Sequence, residues 1–517
     1  MSLARDITTV GSGTLISRLL GFARDAMIAS MLGAGPFSEA FFAVLQVVNF
    51  FRRLLAEGAL NSAFVPMWLR LDSGEDGAEN ADRFTKRALL AMLCVSGIIA
   101  LLVDFFARPL VGVIAPGFGS GTRELTAFLL SLAAPYIFFA GLVAVISAAL
   151  NAERRVIAVT VSTVMFNVVM VAVVVMLLDR GIDSFDRSLL LTSAIVVAVI
   201  VQFLITGIAW LATGRRWRRP RTRAPDRTRL LFKRAVPGLI AAGIPQLKLI
   251  AGAAIASASP AAVAWLYYAN RLYELPLGVA SIAIASVIVP RIAGGIRTGD
   301  TNAFAAAQSR AYEIALGLAL PAATGFALLA TPISGGLFER GAFTASDTVA
   351  VAAALSAICA GLPGHVLEKV FGAVSFAHED TRTPMLAALA GLAAAVIGAL
   401  LLFPRYGHTG VAAAIAISGW VGAAVLGTVL YRRKWLRVDA DAVRRLPRIV
   451  LATVIMGAVV AAGLAFGRGW PVTASPAGRL ILLVTLVVLG VAVYAAALRL
   501  LGVAKIKDLL AGMRRHA

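Results

Sequence analysis

Between Thr9 and Leu500 the chain alternates long apolar runs with short polar or Gly/Pro breaks. A membrane-crossing helix needs about 20 mainly apolar residues. Fourteen stretches come up to that length: 9–31, 37–68, 86–107, 126–150, 157–178, 188–212, 235–256, 262–289, 311–330, 347–375, 384–402, 409–430, 447–467 and 479–500. The pattern predicts an all-α polytopic membrane protein with 14 transmembrane helices. The second stretch is the least hydrophobic.

Composition sharpens this picture. Of the 517 residues, 60% are hydrophobic and 15% charged, and the mean hydropathy is +0.87. A soluble domain carries about 45–50% apolar and about 25% charged residues. These values exclude an ordinary cytosolic enzyme, a secreted domain and a disordered chain. The first span holds Arg18, Arg24 and Asp25, so it does not read as a cleavable leader. Cys94 and Cys359 sit in apolar runs and are expected as small buried hydrophobes, not as a disulfide framework. Four histidines give no metal-binding spacing.

The net charge of +21 reads first as topology. With the N-terminus in the cytoplasm, the inside segments and their margins hold 32 of the 48 Lys and Arg. The outside links hold 8, and the other 8 lie in spans. Ten basic residues fall between Arg215 and Arg234 and seven between Arg432 and Arg448. A belt touching anionic lipid explains the first cluster better than a nucleic-acid patch, because it has one Trp and no repeat. The cluster also lies midway along the chain. The expected organisation is an N-terminal lobe over 1–212 (spans one to six) and a basic cytoplasmic linker over 213–234. A C-terminal lobe follows over 235–430 (spans seven to twelve), then a basic cytoplasmic loop over 431–446. Spans thirteen and fourteen and a cytoplasmic tail occupy 447–517.

Charge inside the membrane is the candidate chemistry. A charge at a span centre costs about 2.5–3.5 kcal/mol on insertion scales, so it should face protein or water. Arg18 and Arg24 are expected on one broad face of span one, with Ser17 and Gly21 allowing close helix contact. Arg24 and Asp25 are adjacent, so their partners are expected on other helices. Span two adds Glu39, Asn49, Arg52, Arg53 and Glu57, with Arg53 and Glu57 at i,i+4 spacing. Arg271 and Glu274 are three apart in span eight, where Pro276 and Gly278 are expected to weaken the helix. Tyr267, Tyr268 and Tyr273 are suited to an interfacial belt. Lys369 follows Glu368 in span ten, and Lys248 lies in span seven. Interhelical salt bridges would account for any one of these residues. As a group, Arg18, Arg24, Arg52, Arg271 and Lys369 outnumber the acids near them, which points to a hydrated cationic cavity for an anionic substrate. Walker, HExxH and GxSxG motifs are absent, so a transporter is expected, not an enzyme.

Several motifs carry a resemblance to a known family. GFARDAMIASMLGAG and EAFFAVLQVVNFFRRLLAEGALNSAFVP resemble the N-terminal signature of the MurJ/MviN lipid II flippases. YYANRLYELPLGV resembles their eighth-span signature, LFERGAFTASD the loop after span nine, and KVFGAVSFAHEDTRTP the end of span ten. The resemblance implies the multidrug/oligosaccharidyl-lipid/polysaccharide exporter fold: two six-helix lobes in a V arrangement plus two C-terminal helices. It implies transfer of lipid II, the undecaprenyl-pyrophosphate-linked peptidoglycan precursor, from the cytoplasmic to the periplasmic leaflet in cell wall biogenesis. It implies substrate contacts at Arg18, Arg24, Arg52, Arg271 and Lys369, and gating or cavity support from Ser17, Gly21, Asp25, Glu39, Asn49, Glu57 and Glu274. Glu39 stands where the family often has aspartate. The implied location is the bacterial cytoplasmic membrane with both termini inside. Lipid II and membrane phospholipids are the implied partners, and the peptidoglycan synthesis machinery is a candidate partner. A functional monomer is expected, with no nucleic acid, metal or cofactor. Coupling to sodium, protons or the membrane potential is left open. The rivals are a polysaccharide-lipid flippase, a cation-coupled drug exporter of the same fold, and a non-transporting membrane scaffold.

Overall fold

The computed structural model describes residues 3–56, 59–73, 77–178, 181–214, 228–284, 289–298, 300–467 and 475–503. Nineteen helices run through them. In the first part of the chain these are α1 (Leu3–Leu32), α2 (Pro36–Ala56), α3 (Ala59–Asp72), α4 (Gly77–Phe105), α5 (Ala107–Ile114), α6 (Ser120–Ala133), α7 (Pro135–Ala152), α8 (Val156–Leu178), α9 (Ser184–Leu211) and α10 (Thr228–Ala256). Then come α11 (Ala262–Ala283), α12 (Val289–Thr298), α13 (Thr301–Leu328), α14 (Ala330–Phe338), α15 (Ala345–Cys359), α16 (Leu362–Ala377), α17 (Arg382–Arg432), α18 (Ala440–Gly467) and α19 (Pro476–Leu500). Glu57, the basic segment 215–227 and the tail 504–517 lie outside the described residues.

Side-chain size decides which face of each helix is buried. On α4, Ala81, Thr85, Ala88, Met92, Ser96 and Ala100 recur at helical spacing and are buried. Leu90, Leu93, Val95, Ile98, Leu101 and Phe105 on the same helix are exposed. A soluble helix would do the reverse. In lipid, aliphatic side chains are solvated on the outside, and small residues gain by letting backbones approach. Ser96 shows how: its hydroxyl donates to the Met92 carbonyl at 2.7 Å and reaches the Phe138 carbonyl on α7 at 3.2 Å. A Cβ on Gly141 of α7 would stand 2.7 Å from the Ser96 Cβ. Cys94 falls on the outward face of α4 and is exposed, contrary to expectation, whereas Cys359 is buried as expected.

Nine helical segments among the described residues are long and apolar enough to cross a membrane. One of them, α17, bends at Gly407 (φ 54°), where the sequence places the break between spans eleven and twelve. The expected spans one, two and eight are not among these, and span seven is represented by the shorter apolar stretch Gly243–Ala256. They are helical, as α1, α2 with α3, α10 and α11, and they are the spans that carry Arg18, Arg24, Arg52, Lys248 and Arg271. Pro276 sits inside a continuous α11 and does not interrupt it.

The chain divides into two compact units. The first comprises Met1–Ala264 with Arg340–Phe343, and the second comprises Trp265–Glu339 with Thr344–Ala517. The sequence puts the divide at 213–234, but the units part after Ala264. The reason is α10, which packs along α2 and α3. Gln246 Nε2 donates to the Gln46 carbonyl at 3.5 Å. The Ser257 hydroxyl accepts from Gly117 N–H at 2.9 Å. In the first unit, α1 also packs on α8 and α9, and α7 on α3 and α4. Trp68, Phe64 and Phe84 fill the core there: Trp68 donates to Thr85 Oγ1 at 3.1 Å, and the two phenyl rings stack at 4.9 Å.

Arg340–Phe343 is held in the first unit by two glycines. Gly33 and Gly341 both have positive φ, 61° and 59°. A Cβ on Gly341 would lie 2.2 Å from the Ser30 carbonyl oxygen, and one on Gly33 would lie 2.4 Å from that of Ala342. The close approach lets Ala342 N–H donate to Ser30 O at 2.8 Å. Only glycine tolerates both the conformation and the contact.

In the second unit, α16 lies between α13 and α17, and α18 with α19 packs on α13 and α14. Tyr494 donates to the Gly317 carbonyl at 2.8 Å, fixing α19 to α13. Arg479 reaches Glu339 at 3.3 Å near the start of α19.

Candidate functional site

Arg24 is the centre of a buried polar network in the first unit. Its Nε donates to Asp25 Oδ1 at 2.8 Å and its Nη2 reaches the same oxygen at 2.7 Å. The side chains are 8% and 0% exposed. Nη1 points to Asn167 Oδ1 at 3.4 Å. The Asn167 amide then donates to Ser17 Oγ at 2.9 Å and to the Ser17 carbonyl at 3.1 Å. Ser17, Arg24 and Asp25 of α1 are thereby tied to α8. Adjacent residues of a helix were not expected to pair. The Arg side chain is long enough to fold back along the helix, and in a medium of low polarity a nearby carboxylate outweighs ideal wheel geometry.

Gly21 is buried between Ser17 and Arg24. Arg18 is exposed, beside exposed Leu15 and Leu19. The two arginines therefore do not share a face. Six residues at 3.6 per turn leave them about 120° apart, and α8 covers one side of α1 only.

On α2, Arg52 Nε donates to Asn49 Oδ1 at 3.3 Å, one turn apart. Both residues are half-buried. Glu39, implied by the resemblance as gating or cavity support, is buried in the first turn of α2, and its Oε1 accepts from the Val263 backbone N–H at 3.3 Å. It thus caps the start of α11, where orphan N–H groups and the helix dipole favour a carboxylate.

In the second unit, Arg271 Nη1 lies 3.4 Å from Glu274 Oε2, with the side chains 24% and 29% exposed. Lys369 is exposed on α16. Tyr268 and Tyr273, suited by sequence to an interfacial belt, are instead buried. Tyr268 packs on Phe338 at 5.1 Å between ring centres. The structure therefore joins Ser17, Arg24 and Asp25, and pairs Asn49 with Arg52 and Arg271 with Glu274. It leaves Arg18 outside these clusters. Asn167 was missed by sequence reasoning. Its signal was present: it is the lone amide in the apolar run VMFNVVMVAVVV, and intramembrane polar residues are rarely idle.

Apolar outer faces, small-residue helix contacts and cations inside the least apolar helices together define a polytopic membrane transporter. The family description "Lipid II flippase MurJ" matches residues 28–478. A probable lipid II flippase MurJ of Rhizobium meliloti (strain 1021) is 38% identical over 466 residues, which is 89% of this chain and 86% of that protein. A probable lipid II flippase MurJ of Vibrio cholerae is 30% identical over 515 residues, 97% of this chain and 96% of that protein. Among solved structures, a lipid II flippase MurJ in an inward closed conformation aligns with a TM-score of 0.79 at 23% identity, over 97% and 99% of the two chains. An inward-facing MATE multidrug transporter of the MOP superfamily aligns with a TM-score of 0.63 at 15% identity, over 83% and 98%. The chain belongs to the lipid II flippase MurJ family. It is a transmembrane transport protein with several long apolar helices.

Proposed function

We infer that this protein is a lipid II flippase, moving undecaprenyl-pyrophosphate-linked peptidoglycan precursor from the cytoplasmic to the periplasmic leaflet by alternating access. The observation that carries the reading is the family match over residues 28–478. Membrane-embedded Arg24, Arg52 and Arg271 support it. A pyrophosphate cannot enter hydrocarbon without replacing its hydration. Guanidinium groups supply parallel N–H donors to phosphate oxygens and compensate the charge.

In this reading Arg18, Arg24, Arg52, Arg271 and Lys369 contact the head group. Arg24 has its fork engaged by Asp25 and Asn167, so a phosphate oxygen takes the place of one of these partners when substrate binds. Asp25 and Asn167 then return the side chain to its starting position after release. Ser17, Gly21, Asn49, Glu57 and Glu274 support these cations, and Glu39 steadies the α2–α11 junction. Binding has to differ between the two access states, since equal stabilisation of both moves nothing.

The architecture proposed with this function is fourteen spans with both termini and the Arg215–Arg234 segment in the cytoplasm. The basic bias of 32 inside to 8 outside supports it. The lobes, 1–212 and 235–430, are units of chain order, and α10 opens the second in sequence while it packs with the first in space. Spans thirteen and fourteen follow the cytoplasmic loop 431–446. The protein acts as a monomer among phospholipids, next to the peptidoglycan synthesis machinery. Depletion followed by leaflet-resolved measurement of lipid II tests the function. Accumulation in the inner leaflet is expected, and an unchanged distribution would reject it.

A further inference from the structure

α11 carries Arg271, and the rotation of this helix about its axis decides where the guanidinium points. From Trp265 onward α11 lies in the second unit. Tyr268, Ala269, Leu272 and Tyr273 are buried, whereas Tyr267, Asn270, Arg271 and Glu274 form a half-buried strip on the other side. Apolar burial is non-directional, so it fixes that rotation only coarsely. A hydrogen bond needs an aligned donor and acceptor, and two such contacts tie α11 to other helices of the unit.

The first is near the start of α11. Trp265 Nε1 donates to Asp347 Oδ1 on α15 at 2.9 Å. Asp347 is 6% exposed. Its other oxygen accepts from the Thr344 backbone N–H at 2.9 Å and from the Thr344 hydroxyl at 2.7 Å, as part of the capping box of α15. The carboxylate is thus held by its own helix and offers Trp265 a fixed acceptor. The Trp265 ring also packs on His408 at 4.8 Å between ring centres. The second contact comes eight residues on. The Tyr273 hydroxyl lies 2.8 Å from His365 Nδ1 on α16, and the same nitrogen lies 3.1 Å from the Gly361 carbonyl. A neutral ring with its proton on Nδ1 serves both oxygens. α17 leaves room for this side of α16: a Cβ on Gly419 would lie 2.5 Å from His365 Nδ1, and one on Gly422 would lie 2.6 Å from the Glu368 carboxyl carbon.

The two contacts are about 12 Å apart along α11 and about 80° apart around it. Arg271 lies between them in sequence, but about 120° from Trp265 and about 160° from Tyr273 around the helix. We propose that Asp347 is a positioning residue for Arg271. It acts through Trp265 and sets the rotation of α11 so that the guanidinium is presented to the pyrophosphate head group. His365 does the same through Tyr273. The leverage is large, because a side-chain tip stands about 6 Å from the axis of its helix. A turn of about 15° moves it by about 1.5 Å, whereas a binding constellation tolerates about 0.5 Å. A carboxylate suits position 347 because it turns one oxygen to Thr344 and the other to Trp265. The single oxygen of an amide cannot serve both directions.

The inference rests on the flippase reading, and the test separates the two. Purified full-length protein is titrated with lipid II in detergent, and affinities are compared across variants. Trp265→Phe keeps the ring and removes the N–H, and Asp347→Asn removes one of the two oxygens. Each should weaken binding about tenfold, as for one lost hydrogen bond to a charged group. In an Arg271→Ala background the same changes should add nothing. Equal losses in both backgrounds are what a purely structural role gives, and they overturn the proposal. Thr344→Ala separates the helix cap from the Trp265 contact: the melting temperature should fall with the affinity kept. A tenfold loss of affinity there would assign the effect to the cap and reject the proposal. Without substrate, spin labels at Asn270, on the strip of Arg271, and at exposed Val349 on α15 report the rotation. Their distance distribution should shift or broaden in Trp265→Phe, and an unchanged distribution in the folded variant also overturns the proposal. If the label distance responds as stated but the wild type binds no lipid II, the flippase reading fails and the hold of Asp347 on α11 stands.

Discussion

Arg24 and Arg271 are both intramembrane arginines with an acidic neighbour in their own helix, yet the structure treats them differently. Arg24 touches one carboxylate oxygen through two nitrogens at 2.7 and 2.8 Å, and is almost wholly buried. Arg271 meets Glu274 at 3.4 Å with about a quarter of each side chain exposed. The difference is helical spacing and cover. Asp25 is next to Arg24 in sequence, and Asn167 from α8 closes the arrangement. Arg271 has its acid one turn away on the same helix. The first pair is part of the fold as much as of the site, whereas the second has the character of a reachable surface pair.

The largest test of that contrast is Arg24→Ala. It leaves Asp25 buried without its cation, and breaking a buried pair costs about 3–5 kcal/mol. Thermal unfolding in detergent should show a large loss, with lipid II translocation abolished. Arg24→Ala combined with Asp25→Ala should recover much of the stability and none of the transport. If the single variant unfolds like the wild type, the pair is not structural.

Asn167→Ala comes next. It removes the link between Arg24 and Ser17, at about 1–3 kcal/mol for the buried polar groups it leaves unsatisfied. Its coupling with Arg24→Ala in a double-mutant cycle should be clearly non-zero, and additive losses would place Asn167 outside the network.

Arg271→Ala should lower stability by no more than about 1 kcal/mol, as for partly exposed pairs, while translocation is lost. Arg271→Lys should restore part of it, because it keeps the charge but not the planar fork. Loss of the folded protein with Arg271→Ala would make the two arginines alike after all.

The smallest effect is expected at a partly exposed pair outside the membrane. Asp380, in the turn between α16 and α17, is bound by Thr383 and Arg433. Burial there opposes ionisation, but the hydrogen bonds from Thr383 and Arg433 outweigh it and hold the carboxyl below its ordinary value. A lowered folded-state value means the contribution is present above the unfolded value, about 3.9, and is lost as pH falls through the folded one. Arg433→Ala should therefore lower the melting temperature slightly at neutral pH, and the difference from wild type should close below about pH 4. Arg433 is 45% exposed on its side chain, so screening keeps the effect under about 1 kcal/mol. A difference that stays constant with pH would detach Asp380 from it.

By itself, the sequence determined the solvent and the secondary structure. Apolar runs of membrane length permit little but helices in lipid, because every backbone polar group has to be satisfied within its own segment. It also determined which helices carry charge, and its motifs carried the family. Tertiary structure alone decided what each charge touches. Arg18 and Arg24 look equivalent in sequence, but α8 covers only one side of α1, so one is exposed and the other paired. Glu39 reads as an acid early in span two with no stated partner, and the fold sets it against the backbone at Val263, more than two hundred positions along the chain. α10 reads as the opening of the second lobe, but it lies along α2 and α3. The slot that receives His365 and Glu368 is written as two glycines in another helix, and nothing in the local pattern links Gly419 and Gly422 to them. Such partners are fixed by side-chain reach, helix rotation and contacts between segments far apart in the chain, and local apolar periodicity carries no information about any of these.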